Sequence, residues 1–437
     1  MSSVIVIGGG LAGLASAAAL GSAGYRVDLY ESRGFLGGRA TSYPLLDGEI
    51  IDNSQHILLR CCVNLLDFYS RLGVRDRIHF SREFYWVEPG GRTSTMSRGL
   101  LPKPLHFTES FYRLTFLDWA DKIGIGRALL AIQWERNRRK DLDRITMLDW
   151  LREKKQTQRA IDRFWNQVLV SAINEDLGRM AASHGFQVFW LGFLAKSDTY
   201  EMGISSVPLG ELCRSQAWEQ MGNVHLHLKN PVERVLFEHG RVAGVLTAGG
   251  VQTADAYVLA VPFERVAAIA PELDLDLTAF EHSPITGIHL WFDRSITPLP
   301  HATLLDRTVH WMFNKQDGRY VQLVVSASRS LRNMSRGDVI SLALKELAEF
   351  FPSVRDAKLE KAHVVKEIRA TFSAKPDLEA LRPTAQTRFP NLVLSGDWTR
   401  SGWPATMEGA VRSGYLAAEE VTRAMSRPET FLLPDVA

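Results

Sequence analysis

Residues 3 to 13 read Ser-Val-Ile-Val-Ile-Gly-Gly-Gly-Leu-Ala-Gly. Val4 to Ile7 is an unbroken β-branched run, the pattern of a strand buried on both faces of a parallel sheet. Gly8-x-Gly10-x-x-Gly13 follows at once and leads into an alanine-rich helix. In such a turn the first glycine permits the tight bend. The second lets the backbone approach a pyrophosphate, and the third lets the helix pack close to the sheet. The N–H groups of Leu11, Ala12 and Gly13 at the helix start, with the positive dipole end behind them, suit phosphates. A second strand, Val27 to Tyr30, ends on Glu31, eighteen residues past Gly13, where an acid bonds a ribose hydroxyl. Glycine turns alone are common. Strand, glycines, small-residue helix, strand and acid in this order predict a βαβ unit that binds an adenine dinucleotide.

The residues after Glu31 choose the dinucleotide. They read Ser32-Arg33-Gly34-Phe35-Leu36-Gly37-Gly38-Arg39. A second glycine pair followed by a guanidinium makes a second close-approach loop, suited to an anionic pyrophosphate. Glu31 followed by Leu36-Gly37-Gly38-Arg39 resembles the FAD-binding amine oxidase and phytoene desaturase superfamily, and later segments extend the likeness. Leu392 to Asp397 resembles that superfamily's second FAD motif, a strand then Gly396-Asp397, in which the Asp bonds the ribityl chain. Pro404 to Gly414 resembles the helix whose start, here Thr406 and Met407, faces the flavin pyrimidine edge and stabilises negative charge there. Asn230 to Phe237 and Val251 to Pro262 resemble the β-meander and the strand after it, with a residue like Val232 touching adenine through its backbone. The resemblance implies FAD. It also implies an α/β fold in which a discontinuous Rossmann-like FAD-binding domain carries a mixed-sheet plus helical substrate domain. No cysteine lies near the C-terminal motif, so the FAD is expected to be non-covalent. Gly90-Gly91 and Gly249-Gly250 read as hairpin turns, and no second dinucleotide unit stands out.

Motifs at both ends and in the middle make the FAD domain discontinuous. It is placed at 1–70, 205–270 and 385–437, with 71–204 and 271–384 as the substrate domain. The first insert reads as helices near 108–134, 146–155, 157–171 and 182–195. The second reads as strands near 284–293, 308–314, 320–327 and 360–369, with a helix at 336–350. A chain of 437 residues holds two or three full cores. Its net charge of +2 gives no bias toward nucleic acid. Three cysteines, Cys61 and Cys62 adjacent, make no disulfide framework, and without Cys or His pairs at ligand spacing no metal is expected. Cys61 and Cys62 read as a small buried pair at a helix start. No run approaches the roughly 18 apolar residues of a membrane span. The first strand begins too early for a cleaved signal peptide, so a cytoplasmic protein is expected. Aromatic residues such as Phe107, Trp119, Trp134, Phe164 and Phe193 interleave with basic ones such as Arg136, Arg138 and Arg139. That pattern fits ordinary core beneath a solvated helix face. It also fits a greasy tunnel whose basic mouth lies peripherally on the inner face of the cytoplasmic membrane.

The segment Asp52 to Gly73 carries a narrower resemblance through Asp52-Asn53-Ser54-Gln55-His56 and Cys61-Cys62-Val63-Asn64-Leu65. It is similar to the squalene-associated FAD-dependent desaturases, the hydroxysqualene dehydroxylases of bacterial hopanoid pathways, with Ser54 where a glycine is expected. This implies a C30 isoprenoid substrate. The allylic hydroxyl of hydroxysqualene is replaced by hydride to give squalene, at the expense of an external reductant such as NAD(P)H or a reductase. A hydroxyl leaves poorly, so a general acid should protonate it. An allylic cation is favoured by fixed aromatic faces and excluded water. His56 is the first candidate for the acid, because histidine donates a proton near neutral pH. Its other reading is a bond to a backbone carbonyl that shapes the FAD loop. Asp52 and Glu408 come second, with capping a turn and supporting the cofactor helix from behind as their respective alternatives. Three rival readings stay open: an isoprenoid desaturase running hydride from a saturated carbon to oxidised FAD, an amine oxidase, and a flavin-free lipid carrier.

Overall fold

The computed structural model describes residues 1–214 and 216–436. Ser3–Ile7 is the central strand of a five-stranded parallel sheet, ordered Val224–His227, Arg26–Tyr30, Ser3–Ile7, Ala256–Leu259, Leu392–Leu394. Its side chains alternate between two cores. Val4 and Val6 pack with the helices Leu11–Ser22 and Met407–Ala424. Ile5 and Ile7 pack with the antiparallel meander Val232–Glu238, Arg241–Thr247 and Gly250–Gln252. Cover on both faces is why no position of this strand is polar from Val4 to Ile7. The two helices approach each other closely. Ser16 Oγ donates to the Gly414 carbonyl at 2.9 Å, and a Cβ on Gly414 would run into the Ala12 carbonyl oxygen.

The second sheet has seven strands, ordered Leu359–Phe372, His282–Phe292, Tyr320–Val325, Trp311–Gln316, His301–Leu304, Glu83–Val87, Thr93–Ser97. It is mixed, because Glu83–Val87 runs parallel to His301–Leu304 while the other pairs are antiparallel. The helix Arg336–Phe350 covers one face, burying Val339, Ala343 and Leu347 with Leu290, Val321 and Leu323. Helices of the first insert cover the other, where Trp86, Trp311 and Phe313 share a core with Trp165 and Phe189. A mixed sheet roofed by helices is the expected architecture.

Several elements differ from expectation. Residues 71–204 are less helical than their pattern implies: Ile78–Ser81, Glu83–Val87, Thr93–Ser97 and Met202–Ser205 are strands. Strands this short take their state from the neighbours they pair with, which a local pattern does not contain. The single helix expected over 108–134 is two, Thr108–Tyr112 and Trp119–Glu135. Asp118 and Asp121 form a capping box that starts the second. Leu114 and Phe116 in the break turn into the core, Phe116 stacking on Trp86 with ring centroids 5.0 Å apart. Gly90-Gly91 joins an antiparallel strand pair, as read from sequence, and so does Gly249-Gly250. Ile57–Leu59, Met202–Ser205 and Ile78–Ser81 form a small antiparallel sheet.

Candidate active site

Four loops converge at the C-terminal ends of the parallel strands, the edge of an open α/β sheet where ligands bind. The first is the glycine turn. Gly8 has φ +111° and donates to the Tyr30 carbonyl at 2.8 Å, a backbone that side chains other than glycine rarely adopt. A Cβ on Gly13 would run into the Gly8 carbonyl oxygen, so the helix could not pack this close with any other residue. A Cβ on Gly10, by contrast, would meet no protein atom within 4 Å. Gly10 is also the N-cap of Leu11–Ser22 and offers no side chain to it. The helix start at Leu11, Ala12 and Gly13 thus faces a cradle that no side chain fills, and its geometry fits a pyrophosphate.

Glu31 ends the second strand and is nearly buried. One carboxylate oxygen accepts from the Gly9 N–H at 2.7 Å, the other from the Arg33 N–H at 2.7 Å and the Ser32 hydroxyl at 3.0 Å. Its carboxylate therefore ties the glycine turn to the loop that follows. That loop folds back on the turn: the Gly37 N–H donates to the Gly9 carbonyl at 2.8 Å, and Gly38 lies against Gly10. Arg39 then reaches the fourth loop, donating to Asp397 at 2.7 Å and to the Ala370 carbonyl at 2.8 Å. Gly396 and Asp397 are held in place by the Ser413 hydroxyl, which accepts from the Gly396 N–H at 2.7 Å, and by Arg382, which donates to the Asp397 and Thr399 carbonyls. The Asn230 N–H donates to the Glu31 carbonyl at 2.9 Å, bringing the buried start of the meander, Val232, to the same rim. Thr406 caps the helix Met407–Ala424 by accepting from the Gly409 N–H at 3.0 Å. The residues predicted to hold FAD thus lie along one rim. They come from segments as far apart in sequence as Gly8 and Met407.

Beside that rim is a mostly apolar cavity of about 170 Å³. Ile57, Leu59, Trp86, Phe193 and Trp311 supply much of its wall, and Pro404, Thr406, Met407 and Glu408 close one side. The C-terminal helix start is therefore shared between the cradle and the cavity. Cys61 and Cys62 border it too, at the start of the helix Val63–Arg71. The structure reorders the three candidate acids. His56 does not line the cavity; its ring Nδ1 donates to the Ser54 carbonyl at 2.9 Å, the loop-shaping role, and burial lowers its pKa. Asp52 accepts from the Ser42 hydroxyl at 2.7 Å and from the Leu209 N–H at 2.9 Å, with Lys315 at 3.4 Å, so it pins a turn and a helix start. Glu408 does line the cavity. It accepts from the Asn64 side-chain amide at 2.9 Å and from the Asn64 and Leu65 N–H groups at 3.2 and 2.7 Å, capping Val63–Arg71. Burial pushes its carboxyl up to about 7, against the pull of those donors and of Arg412.

Three polar cavity residues, Gln167, Ser171 and Gln187, were not singled out from sequence, and Gln187 Nε2 is engaged with the Gly402 carbonyl at 2.8 Å. Gln167 is buried, and its Oε1 accepts from no group among the described residues. Ser171, one helical turn on, accepts from Trp311 Nε1 at 2.7 Å. For Gln167 and Ser171 the signal available was a pair of polar residues at i and i+4 set among Val168, Leu169, Val170, Ala172 and Ile173. Among the described residues, no cluster of three His, Cys, Asp or Glu is placed to hold a metal.

A family model described as flavin containing amine oxidoreductase matches residues 11–422. The chain is 27% identical to a 15-cis-phytoene desaturase of an Oncidium hybrid cultivar over 463 residues, covering 96% of this chain and 78% of that one. It is 24% identical to a zeta-carotene desaturase of Synechocystis sp. over 485 residues, covering 98% and 99%. Among solved structures, an oxidoreductase from Methanosarcina mazei superimposes with a TM-score of 0.73 at 17% identity, over 94% of this chain and 98% of that one. At that identity the likeness is one of fold.

Proposed function

This chain belongs to the flavin containing amine oxidoreductase family, and is on that ground an FAD-dependent oxidoreductase; from this premise we propose that its substrate is a long polyisoprenoid whose reacting segment is held in the cavity beside Met407. The observation that carries the reading is that the helix start at Thr406 and Met407, which resembles the flavin-facing helix start of the family, also forms the wall of an apolar cavity. Bound FAD supplies a two-electron hydride acceptor or, once reduced, a hydride donor. The apolar walls, Ile57, Leu59, Trp86 and Phe193 among them, bury a hydrocarbon chain and exclude water.

Two directions of hydride transfer fit such a cavity. Oxidation is supported by the relatives, which are named as desaturases of phytoene and zeta-carotene. Here two C–H bonds on adjacent carbons would break, one hydrogen leaving as hydride to oxidised FAD and the other as a proton to solvent, and a double bond would form between those carbons; the cavity's part is to hold the reacting carbons still. Reduction is supported by the Asp52 to Gly73 resemblance and by Glu408. A carboxyl of pKa about 7 in an apolar wall is a proton donor at neutral pH. In this second reading Glu408 protonates the departing allylic hydroxyl of hydroxysqualene and hydride takes its place. Water and squalene form, and an external reductant such as NAD(P)H or a reductase restores the two electrons. Gln167 Oε1 is a ready acceptor for that hydroxyl before it leaves.

Anaerobic single turnovers separate the two. Oxidised protein is mixed with phytoene or zeta-carotene, reduced protein with hydroxysqualene, and flavin absorbance is followed alongside product mass. Bleaching with a newly unsaturated polyene establishes desaturation. Flavin reoxidation in step with squalene establishes dehydroxylation. Silence toward all three, with bleaching by a primary amine, sinks the polyisoprenoid reading.

A further inference from the structure

The helix Trp119–Glu135 is apolar on two sides, and only one of them is covered. Ile125, Ala128 and Ile132 are fully buried on the inner side. Trp119, Ile123, Leu130 and Trp134 lie opposite. At about 100° per residue they fall within about 60° of one another, in a stripe about 22 Å long. Their exposures are 59%, 52%, 58% and 70%. The segment before the helix adds exposed Leu100, Leu105 and Tyr112, with the Tyr112 ring edge-on to Trp119 at 4.8 Å. Of fifteen large exposed hydrophobic residues among the described residues, eight fall between positions 100 and 134. Apolar residues scattered singly are ordinary on a surface; a contiguous set is an interaction site.

Charge gathers on the same segment. Residues 98–140 hold nine Lys and Arg against four Asp and Glu, in a chain whose net charge is +2. Two of those acids are already engaged: Asp121 is buried in the capping box, and Glu135 accepts from Trp150 and Lys154. The cations flank the exposed rings. The Arg138 guanidinium sits 3.8 Å over Trp134, and the Lys122 ammonium 5.4 Å from the Trp119 ring centre.

The geometry points to the headgroup–acyl boundary of an anionic bilayer as the occupant of this face. Trp119, Ile123, Leu130 and Trp134 enter the boundary, while Lys122, Arg127 and Arg138 meet anionic headgroups. No described helix is long and apolar enough to cross a membrane, and this one lies along its surface. The face also leads inward. Lys103 Nζ donates to the Ala195 carbonyl at 2.6 Å, and the Phe107 ring packs 6.1 Å from Phe193, which lines the cavity. Docking face and cavity wall therefore meet through one pair of rings. Delivery of an apolar substrate by that route rests on the function proposed above; the docking face does not.

Vesicle flotation of the FAD-loaded full chain tests it. Protein should rise with vesicles of phosphatidylcholine and phosphatidylglycerol in equal parts, rise far less with phosphatidylcholine alone, and be released by high salt. The triple variant Ile123→Ser, Leu130→Ser, Trp134→Ser should lose about tenfold or more of the bound fraction, with flavin absorbance and monomer size unchanged. Arg127→Glu with Arg138→Glu should lose the preference for anionic vesicles, by about tenfold or more. Wild-type protein that stays down with both vesicle types overturns the proposal, as does a triple variant that floats undiminished. A wild-type dimer that the triple variant splits into monomers also overturns it, by assigning the face to a second copy of the chain.

Discussion

Three N–H groups donate to the Glu408 carboxyl, and burial still lifts it to about 7. Unfolded, the same group ionises at 4.5. Between those values the folded chain keeps a proton that the unfolded chain has lost. The contribution to stability is therefore full below the lower value and drains away as pH rises to the higher, by roughly 3 kcal/mol at most. Thermal midpoints of wild-type protein should accordingly fall against those of Glu408→Gln as pH is raised through that window; parallel curves would show that the carboxyl is not raised. If hydroxysqualene is the substrate, Glu408→Gln should also slow single-turnover squalene formation by about 10²- to 10⁴-fold while retaining FAD. His56→Ala should slow it far less, because that ring braces Ser54 and does not reach the cavity. Glu31→Ala leaves the Gly9 and Arg33 N–H groups without their acceptor, a cost of about 1–3 kcal/mol. FAD per protein after gel filtration should drop sharply in a variant that remains folded, and an undiminished yellow yield would remove Glu31 from the cofactor site. The place of Glu31 beside the glycine turn was legible in the sequence because it is set by position at a strand end. Glu408 was only one of three candidates, because the burial that raises its pKa is tertiary and the N–H groups that hold its carboxyl in place come from Asn64 and Leu65, some 340 residues away.

At the scale of elements, the helices Leu11–Ser22 and Met407–Ala424 work as a pair. Both starts belong to the segments expected to hold FAD, and their spacing is set where Gly414 meets Ala12 and Ala15. Gly414→Val forces that contact apart at a cost of about 1–3 kcal/mol. We expect protein with reduced flavin content and a lower thermal midpoint; full flavin loading would show that the spacing is not needed. The first of these helices was legible because glycines, alanines and the flanking strand all agree within 30 residues. The start of Trp119–Glu135 was missed, its signal Asp118-x-x-Asp121 lying inside a stretch that reads as one helix over 108–134. Glu83–Val87 was legible only through its Gly90-Gly91 turn to Thr93–Ser97; its place in the large sheet was not, since its other partner His301–Leu304 lies in the other insert.

At the scale of the whole molecule, the rim expected to hold FAD is assembled from segments near 8–13, 31–39, 230–232 and 396–409, held together by contacts such as Arg39–Asp397. FAD bound across them would stabilise the folded state by about 4 kcal/mol at a thousandfold excess over its dissociation constant. Stripping FAD should therefore lower the thermal midpoint and raise hydrogen exchange in all four segments together. Exchange confined to one segment would mean that the rim is not a single unit. The rim's motifs could be read because each is contiguous. The cavity could not, because its wall gathers isolated side chains such as Leu59, Gln167, Leu191 and Trp403 that share no pattern along the chain. The strand order carries a consequence for biogenesis. Ala256–Leu259 is an interior strand only once Leu392–Leu394 lies beside it, and Arg39 gains its carboxylate only when Asp397 exists. A ribosome making this chain therefore exposes an apolar, unpaired sheet edge for the time needed to add more than 130 residues. Chaperone demand should fall, and flavin uptake begin, only as the final tenth of the polypeptide emerges.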